Sequence, residues 1–459
     1  MNKQYDVIII GTGQAGVPLA RDLVAAGKTV AVIERKRFGG TCPNVGCVPS
    51  KTLHASAKAI YDARNAVEFG ITIQGTIKAD LEAIVARKNT IIAPITKREN
   101  KFKALKNIDY YNQHARFSGT RSISVNSTIL TAKFFFINVG ARPRIPSYAH
   151  KVDFLTSTSI LDLEMVPEHL IIIGAGAIGL EFGQMFARFG SKVTIVEMSS
   201  RILPREHEDV GSAVKQVLEA EGIIFRVNAE CIDCNTNTNK IEVHLHCSKA
   251  EKDQLTGTHI LFATGRQPNT DDLGLEKAGI KSNDNGYIDV NDFLETNVNN
   301  IWALGDCNGK GGFTHTAYHD YQIAKEQLLG NGKQKASDRI SCWSLFIDPP
   351  LAQVGLSKKE ALAHAEKADF LIAQMPMKHV ARAIEKGDTR GFMEIIVHKQ
   401  TKKILGATLF GIGADEVIHA VLQNMYCKGT FEDLRDAVHI HPTVAEYLPT
   451  LMEKSKPLK

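Results

Sequence analysis

A glycine pattern that occurs twice constrains this chain more than any other feature. Tyr5-Asp-Val-Ile-Ile-Ile-Gly-Thr-Gly-Gln-Ala-Gly16 leads to Thr29-Val-Ala-Val-Ile-Glu34, and Leu170-Ile-Ile-Ile-Gly-Ala-Gly-Ala-Ile-Gly179 leads to Lys192-Val-Thr-Ile-Val-Glu197. Each copy reads as a buried strand, a G-x-G-x-x-G turn, a helical stretch and a second strand that closes on an acid about 20 residues later. The first glycine (Gly11, Gly174) makes the tight turn. The second (Gly13, Gly176) lets backbone approach a pyrophosphate, and the third (Gly16, Gly179) lets the helix pack on the strand. Phosphates then sit at the helix N-terminus, and Glu34 or Glu197 accepts a ribose hydroxyl. One such turn alone is a weak sign. Two, each with strand, helix and acid in place, predict two nucleotide sites.

At 459 residues the chain has room for about three domains. Lys+Arg 55 against Asp+Glu 50 leaves a net charge of +5, too little over this length for a nucleic-acid or polybasic membrane footprint. No apolar run approaches the roughly 18 residues of a membrane span. Val7-Ile-Ile-Ile10 breaks into glycines instead of extending as the core of an export signal. A cytoplasmic location is expected. There, paired cysteines are more often redox-active or metal-binding than structural.

One pair stands out, in Gly39-Gly-Thr-Cys-Pro-Asn-Val-Gly-Cys-Val-Pro-Ser-Lys51. Val48-Pro49-Ser50 opens a helical stretch, with proline suited to a first turn. A cysteine at a helix start has its thiolate favoured by the helix dipole, and Lys51 adds positive charge. Two buried packing cysteines would need neither the glycines nor the lysine. Cys42 and Cys47 are therefore read as a redox disulfide.

This segment resembles the active-site motif of the class I pyridine nucleotide-disulfide oxidoreductases, which include dihydrolipoamide dehydrogenase, glutathione reductase, soluble transhydrogenase and mercuric reductase. The resemblance spans essentially the whole chain, because the other landmarks fall in the family's order. It implies an α/β fold: two Rossmann-like domains, for FAD and NAD, and a C-terminal α+β dimerisation domain. The expected boundaries are 1–145 and 268–337 for the FAD domain, 146–267 for the NAD(P) domain and 338–459 for the interface domain. Short strands ending in glycine before Pro143 and Pro268 suit such exits. The resemblance puts FAD on Gly11, Gly13, Gly16, Glu34, Gly40, Thr41, Lys51, Ala115, Gly140, Asp306 and Ala317. It puts NAD on Gly174, Gly176, Gly179, Glu197, Gly265 and Arg266. Cys47 would be the thiolate against the flavin, Cys42 the thiol that exchanges with substrate, and Lys51 a neighbour of the isoalloxazine N5.

His439-Ile-His-Pro-Thr-Val-Ala-Glu446 resembles the family's His-Pro-Thr-x-x-Glu. His441 is then the general base for thiol exchange, with His439 as runner-up, and Glu446 holds the imidazole's tautomer and orientation. In the family this dyad acts on the partner subunit's disulfide, so a homodimer is implied. The expected activity is FAD-dependent NAD(P)H:disulfide or dithiol oxidoreduction, on a small-molecule or protein substrate. Glu197 predicts a preference for NADH, whereas Arg201 lies close enough in sequence to leave NADP(H) open.

Departures from the family bear on the substrate. Mercuric reductases commonly carry a vicinal cysteine pair near the C-terminus, and Leu448-Pro-Thr-Leu-Met-Glu-Lys-Ser-Lys-Pro-Leu-Lys459 has no cysteine. The arginines of glutathione reductase are not recognisable. Gly311-Gly-Phe-Thr-His-Thr-Ala-Tyr-His-Asp-Tyr321 partly resembles the lipoamide branch, with Tyr321 where glycine is usual. It is closer to oxidoreductases labelled mercuric reductase-like. Two alternatives remain: a mercuric-type metal-ion reductase, and a flavoprotein that senses NAD(H) without turnover. No metal site is expected. Cys231-x-x-Cys234 with His244, His246 and Cys247 matches no zinc spacing, and the alternation of residues 241–246 puts both histidines on a polar strand face. Cys307, Cys342 and Cys427 are expected to be buried packing thiols.

Overall fold

The computed structural model describes residues 2–237, 240–247 and 252–459. It is an α/β protein whose described residues divide into two compact units. The first holds residues 2–52, 85–144 and 265–339; the second holds 53–84, 145–264 and 340–459.

The first unit is built on a seven-stranded sheet. Asn2–Ile10 pairs in parallel with Val30–Ile33 on one side and Thr128–Ile137 on the other. Val7, Ile8, Ile9 and Ile10 are all buried, as a strand covered on both faces requires. Ile301–Ala303 adds in parallel to Thr128–Ile137, returning the chain to this sheet after its excursion through the second unit. Ser122–Val125 and Ala115–Gly119 extend the other edge as an antiparallel meander with alternating burial. The strand ends deliver the first glycine turn and the Gly305-Asp306 turn together, because Phe136 and Trp302 sit in register and their rings stack at 5.0 Å.

The second unit contains the other fingerprint on a four-stranded parallel sheet. Its order is Ile224–Arg226, Lys192–Val196, His169–Ile173, His259–Phe262. A three-stranded antiparallel sheet, Ala229–Asn237, Lys240–Cys247 and Lys252–Gly257, is inserted in sequence between Ile224–Arg226 and His259–Phe262. Residues from Cys342 onward form a six-stranded antiparallel sheet, one face of which packs against the helix Ala414–Tyr426. The other face carries a polar row across neighbouring strands: Trp343, Gln353, Thr408, Glu394 and Gln374 lie in register. Trp343 Nε1 donates to Gln353 Oε1 at 2.7 Å, and Gln374 Nε2 reaches Glu394 Oε2 at 3.5 Å. Glu394 is only 2% exposed, and burial pushes its carboxyl up to about 7, with Lys358 opposing and Asp209 adding to the shift.

A buried ionic cluster ties this unit together. Arg188 donates from Nε to Glu221 at 2.7 Å, pairs with Asp348 at 2.8 Å and stacks its guanidinium 4.0 Å over the Tyr61 ring. Arg390 joins the same carboxylates and is held by Asp388. No described helix is long and apolar enough to cross a membrane.

Candidate active site

The two fingerprints share their turn geometry. Gly11 and Gly174 both have positive φ, 105° and 109°. A Cβ on either would meet the carbonyl oxygen of a crossing segment, Asn138 at 2.2 Å or Ala263 at 2.5 Å. A Cβ on Gly16 would lie 2.3 Å from the Gly11 oxygen, and one on Gly179 2.0 Å from that of Gly174. These neighbours are backbone and cannot yield, so the glycines are steric requirements of the turn.

The closing acids lock the turns. Glu34 Oε2 accepts from the Thr12 N–H and hydroxyl at 3.0 and 2.7 Å, and Oε1 accepts from Lys36 N–H. Glu197 Oε2 accepts from Ala175 N–H at 2.8 Å and Oε1 from Ser199 N–H at 2.9 Å. Glu34 Oε1 and both Glu197 oxygens each keep a second lone pair for a ribose hydroxyl.

Both turns suit dinucleotides. Nothing lies within 4 Å of a Cβ built on Gly176, which is the open backbone a pyrophosphate needs. In the first unit, Gly40, at φ 71°, faces Gly13 so closely that a Cβ there would stand 3.0 Å from the Gly13 Cα. Thr41 opens the short helix Thr41–Val45 directly after it. Asn138 joins the parts: its Oδ1 accepts from Gly16 N–H at 2.9 Å and its Nδ2 donates to the Leu304 carbonyl. Asp320 accepts from Gly305 N–H at 2.8 Å and so fixes the turn that presents Asp306. Burial raises the Asp306 carboxyl, and Arg266, 3.7 Å away, opposes the shift. Ala115 and Ala317 are buried in the same unit, and Gly140 has positive φ.

Arg266 belongs to this first unit, where its guanidinium donates to the Ala141 carbonyl and pairs with Asp306. The adjoining Gly265 has a φ of 104° with open space at its Cβ position. Arg201, in the second unit, donates from Nη2 to the Pro204 carbonyl at 3.2 Å.

Cys47 is the first residue of the 18-residue helix Cys47–Arg64, and Cys42 lies in the helix Thr41–Val45. Both are free thiols here. The two sulfurs are chemically unequal. A hydrogen bond from Cys42 pulls the Cys47 thiol down to about 6 against partial desolvation, aided by Thr314, Lys51 and the Cys47 N–H, although the residue is exposed in the single chain. The same pairing, with burial, pushes Cys42 above the ordinary thiol range. The direction of both shifts favours charge on Cys47, at the helix start, over Cys42. Thr314 Oγ1 lies 3.3 Å from Cys47 Sγ. Thr314 sits in the segment read for its resemblance, but its contact with a sulfur 267 positions away has no signature in spacing.

In the second unit His441 Nδ1 stands 2.9 Å from Glu446 Oε2. Glu446 is held in turn by the Thr443 N–H at 3.3 Å. His439 is engaged elsewhere, with Nε2 on the Leu434 carbonyl at 2.9 Å. The surface beside the dyad is apolar and bare: Val438 is 100% and Ile440 77% exposed.

The remaining cysteines divide. Cys307 is buried, its Sγ near the Ile137 and Leu304 carbonyls, and burial pushes its thiol up to about 12. Cys234 is buried and donates to the Tyr148 carbonyl. The expectation of burial fails for Cys427, which is exposed, and only partly holds for Cys342. Cys427 follows the helix Ala414–Tyr426, whose buried residues are Ala414, Ile418 and Val421, and lies off that face. The side chains of Cys231, His246 and Cys247 lie outside the described residues. Among the described residues no group of three His, Cys, Asp or Glu side chains is placed to hold a metal. Tyr321 donates its hydroxyl to Asp22 Oδ2 at 2.7 Å, bracing the first fingerprint's helix.

The sequence profile of the pyridine nucleotide-disulphide oxidoreductases matches residues 5–320, and that of their dimerisation domain matches residues 341–452. The chain is 36% identical over 467 residues to a probable pyridine nucleotide-disulfide oxidoreductase, RclA, of Escherichia coli K12, covering 99% of this chain and all of that one. It is 30% identical over 453 residues to a dihydrolipoyl dehydrogenase of Chlamydia trachomatis, covering 97% of this chain and 96% of the relative. Among solved structures, a Cu(II) complex of the HOCl-induced flavoprotein disulfide reductase RclA from Escherichia coli superposes with a TM-score of 0.88 at 34% identity. It covers 98% of this chain and 99% of that one.

Proposed function

The chain belongs to the pyridine nucleotide-disulphide oxidoreductase family, and from that premise we propose that it moves electrons between NADH and a disulfide or dithiol substrate through Cys42 and Cys47. The observation that carries the reading is the placement of the two sulfurs: Cys42 in the short helix Thr41–Val45, and Cys47 at the first residue of the next helix with Thr314 Oγ1 3.3 Å from its Sγ. A relay of this kind needs one sulfur that holds negative charge inside the protein and one that keeps a proton until exchange begins. Cys47 takes the first role and Cys42 the second, with Lys51 supplying a fixed positive charge.

Bound FAD supplies the two-electron exchange between nicotinamide and the sulfur pair. Its diphosphate is assigned to the turn Gly11, Gly13 and Gly16 with Gly40 and Thr41, its ribose to Glu34, and its remaining contacts to Ala115, Gly140, Asp306 and Ala317. Gly174, Gly176, Gly179 and Glu197 take the nicotinamide dinucleotide, and Gly265 and Arg266 are assigned to it as well. Glu197 hydrogen-bonds ribose hydroxyls and repels a 2′-phosphate. Residues 1–145 and 268–337 form the FAD domain, 146–267 the NAD domain and 338–459 the interface domain.

His441 removes the proton from the exchanging thiol, oriented through Nδ1 by Glu446. A homodimer in which each dyad serves the other subunit's sulfur pair gives the bare Val438 and Ile440 surface its cover. A sensing role without turnover leaves a base with a carboxylate partner without purpose. A second reading, reduction of a metal ion, has one observation in its favour: the solved relative is a Cu(II) complex. Thiolates are soft ligands suited to Cu(I). Steady-state oxidation of NADH with lipoamide, glutathione disulfide or Cu(II) as sole acceptor separates the two. Disulfide turnover that vanishes in Cys42→Ser supports the relay; turnover with Cu(II) alone supports the second reading.

A further inference from the structure

Two helices begin at the same sulfur. Cys47 is the first residue of Cys47–Arg64, and Thr314 is the first residue of the 16-residue helix Thr314–Leu329. Their side chains meet at 3.3 Å. The turn before Thr314 is pinned: Thr316 Oγ1 donates to the Phe313 carbonyl at 2.7 Å and accepts from the Phe313 N–H at 3.2 Å. The hydroxyl is therefore delivered to the sulfur by backbone that has little freedom to move. Both helix N-termini turn unpaired N–H groups toward this end, which favours negative charge.

We propose that the Thr314 hydroxyl is a working part of the relay, donating its hydrogen bond to the Cys47 thiolate and so holding the charge of the reduced pair on that sulfur. The inference rests on the relay reading above. The proton count supports it. A reduced pair that has lost one proton has a single S–H, on Cys42, and a thiolate only accepts hydrogen bonds. The Cys47 thiolate then receives the Cys42 S–H and the Thr314 O–H, both charge-assisted.

Valine and serine separate the donor from the shape. Thr314→Val keeps the branched side chain at the helix start and removes the donor. Thr314→Ser keeps the donor and removes the methyl. The holoenzyme is reduced anaerobically with one equivalent of NADH, and the long-wavelength thiolate-to-flavin absorption band is titrated with pH. The midpoint in Thr314→Val is expected to rise by about one pH unit or more, roughly tenfold less thiolate at a given pH below it, with Thr314→Ser close to wild type. Should the valine variant bind flavin poorly, the pH dependence of Cys47 alkylation in the dithiothreitol-reduced protein, read on the Cys47 peptide by mass spectrometry, reports the same midpoint. An unchanged midpoint in the valine variant overturns the proposal, as does an equal shift in both variants. A wild type with neither the band nor a low Cys47 midpoint would instead overturn the relay reading, and this inference with it.

Discussion

His441 Nδ1 lies 2.9 Å from Glu446 Oε2, while the imidazole itself is 76% exposed. A carboxylate only accepts, so Nδ1 carries the hydrogen and the free lone pair of a neutral ring is on Nε2. In a single chain that lone pair is uncovered, ready for a substrate thiol. His441→Ala is expected to slow disulfide exchange about 10²–10⁴-fold and leave flavin reduction by NADH nearly unchanged. His439→Ala should cost little, because its Nε2 is spent on a backbone carbonyl. Stopped-flow traces of the two half-reactions check this, and a larger loss in the His439 variant would reverse the assignment.

The cofactor preference turns on Glu197. It already accepts from Ala175 and Ser199 N–H groups, so its orientation is set before a ribose arrives. Wild type should favour NADH over NADPH by roughly 30- to 1000-fold in kcat/KM, the worth of one or two charge-assisted bonds plus like-charge repulsion. Glu197→Ala should narrow that ratio. Equal use of both cofactors by wild type would show that a basic group overrides the carboxylate.

How much of this was readable from the chain alone depends on distance along it. Gly11, Gly13, Gly16 and Glu34 are neighbours in sequence and in space, and their backbone contacts explain why the spacing is rigid. The α/β class came with the family resemblance that the same repeat helps to carry. Asp320 and Thr314 fall in the segment Gly311–Tyr321, and Asn138 in the glycine-ended stretch before Pro143, yet none of the three had an assigned role. Each acts on a residue from another strand or helix, Asn138 on Gly16 across 122 positions and Thr314 on Cys47 across 267. Periodicity carries no trace of such pairs. Cys427 is different: the buried positions of its helix already exclude it from the core face, a signal that helical spacing contained.

Glu394 should make the stability of the protein fall as pH rises. Burial lifts its folded-state pKa to about 7 from an ordinary 4.5, so between these values the folded state holds a proton that the unfolded state has lost. Its destabilising effect is absent below about pH 4.5 and complete above about pH 7. Glu394→Gln removes the charge and should match wild type near pH 4.5, while exceeding it at pH 8 by up to about 3 kcal/mol. Urea unfolding at the two pH values tests this; equal stability at both would mean that the carboxylate is well solvated.

Arg188 offers a stability test without pH. Its side chain is 3% exposed between Glu221 and Asp348, themselves 10% and 8% exposed. Arg188→Ala leaves buried carboxylates short of their partner and should cost about 3–5 kcal/mol. The urea midpoint reads the loss. A midpoint equal to wild type would show that Arg390 alone satisfies both acids.

Electrons from NADH are expected to arrive at Cys42 and Cys47. The direct measurement is differential alkylation under anaerobic conditions, with peptide mass spectrometry before and after one equivalent of NADH. The oxidised enzyme should protect both cysteines as a disulfide. After NADH both should become labelled, Cys47 already at mildly acid pH and Cys42 only as the pH rises, while Cys234 and Cys307 stay unlabelled in the folded protein. Bleaching of the flavin with no new label at Cys42 or Cys47 would contradict the account.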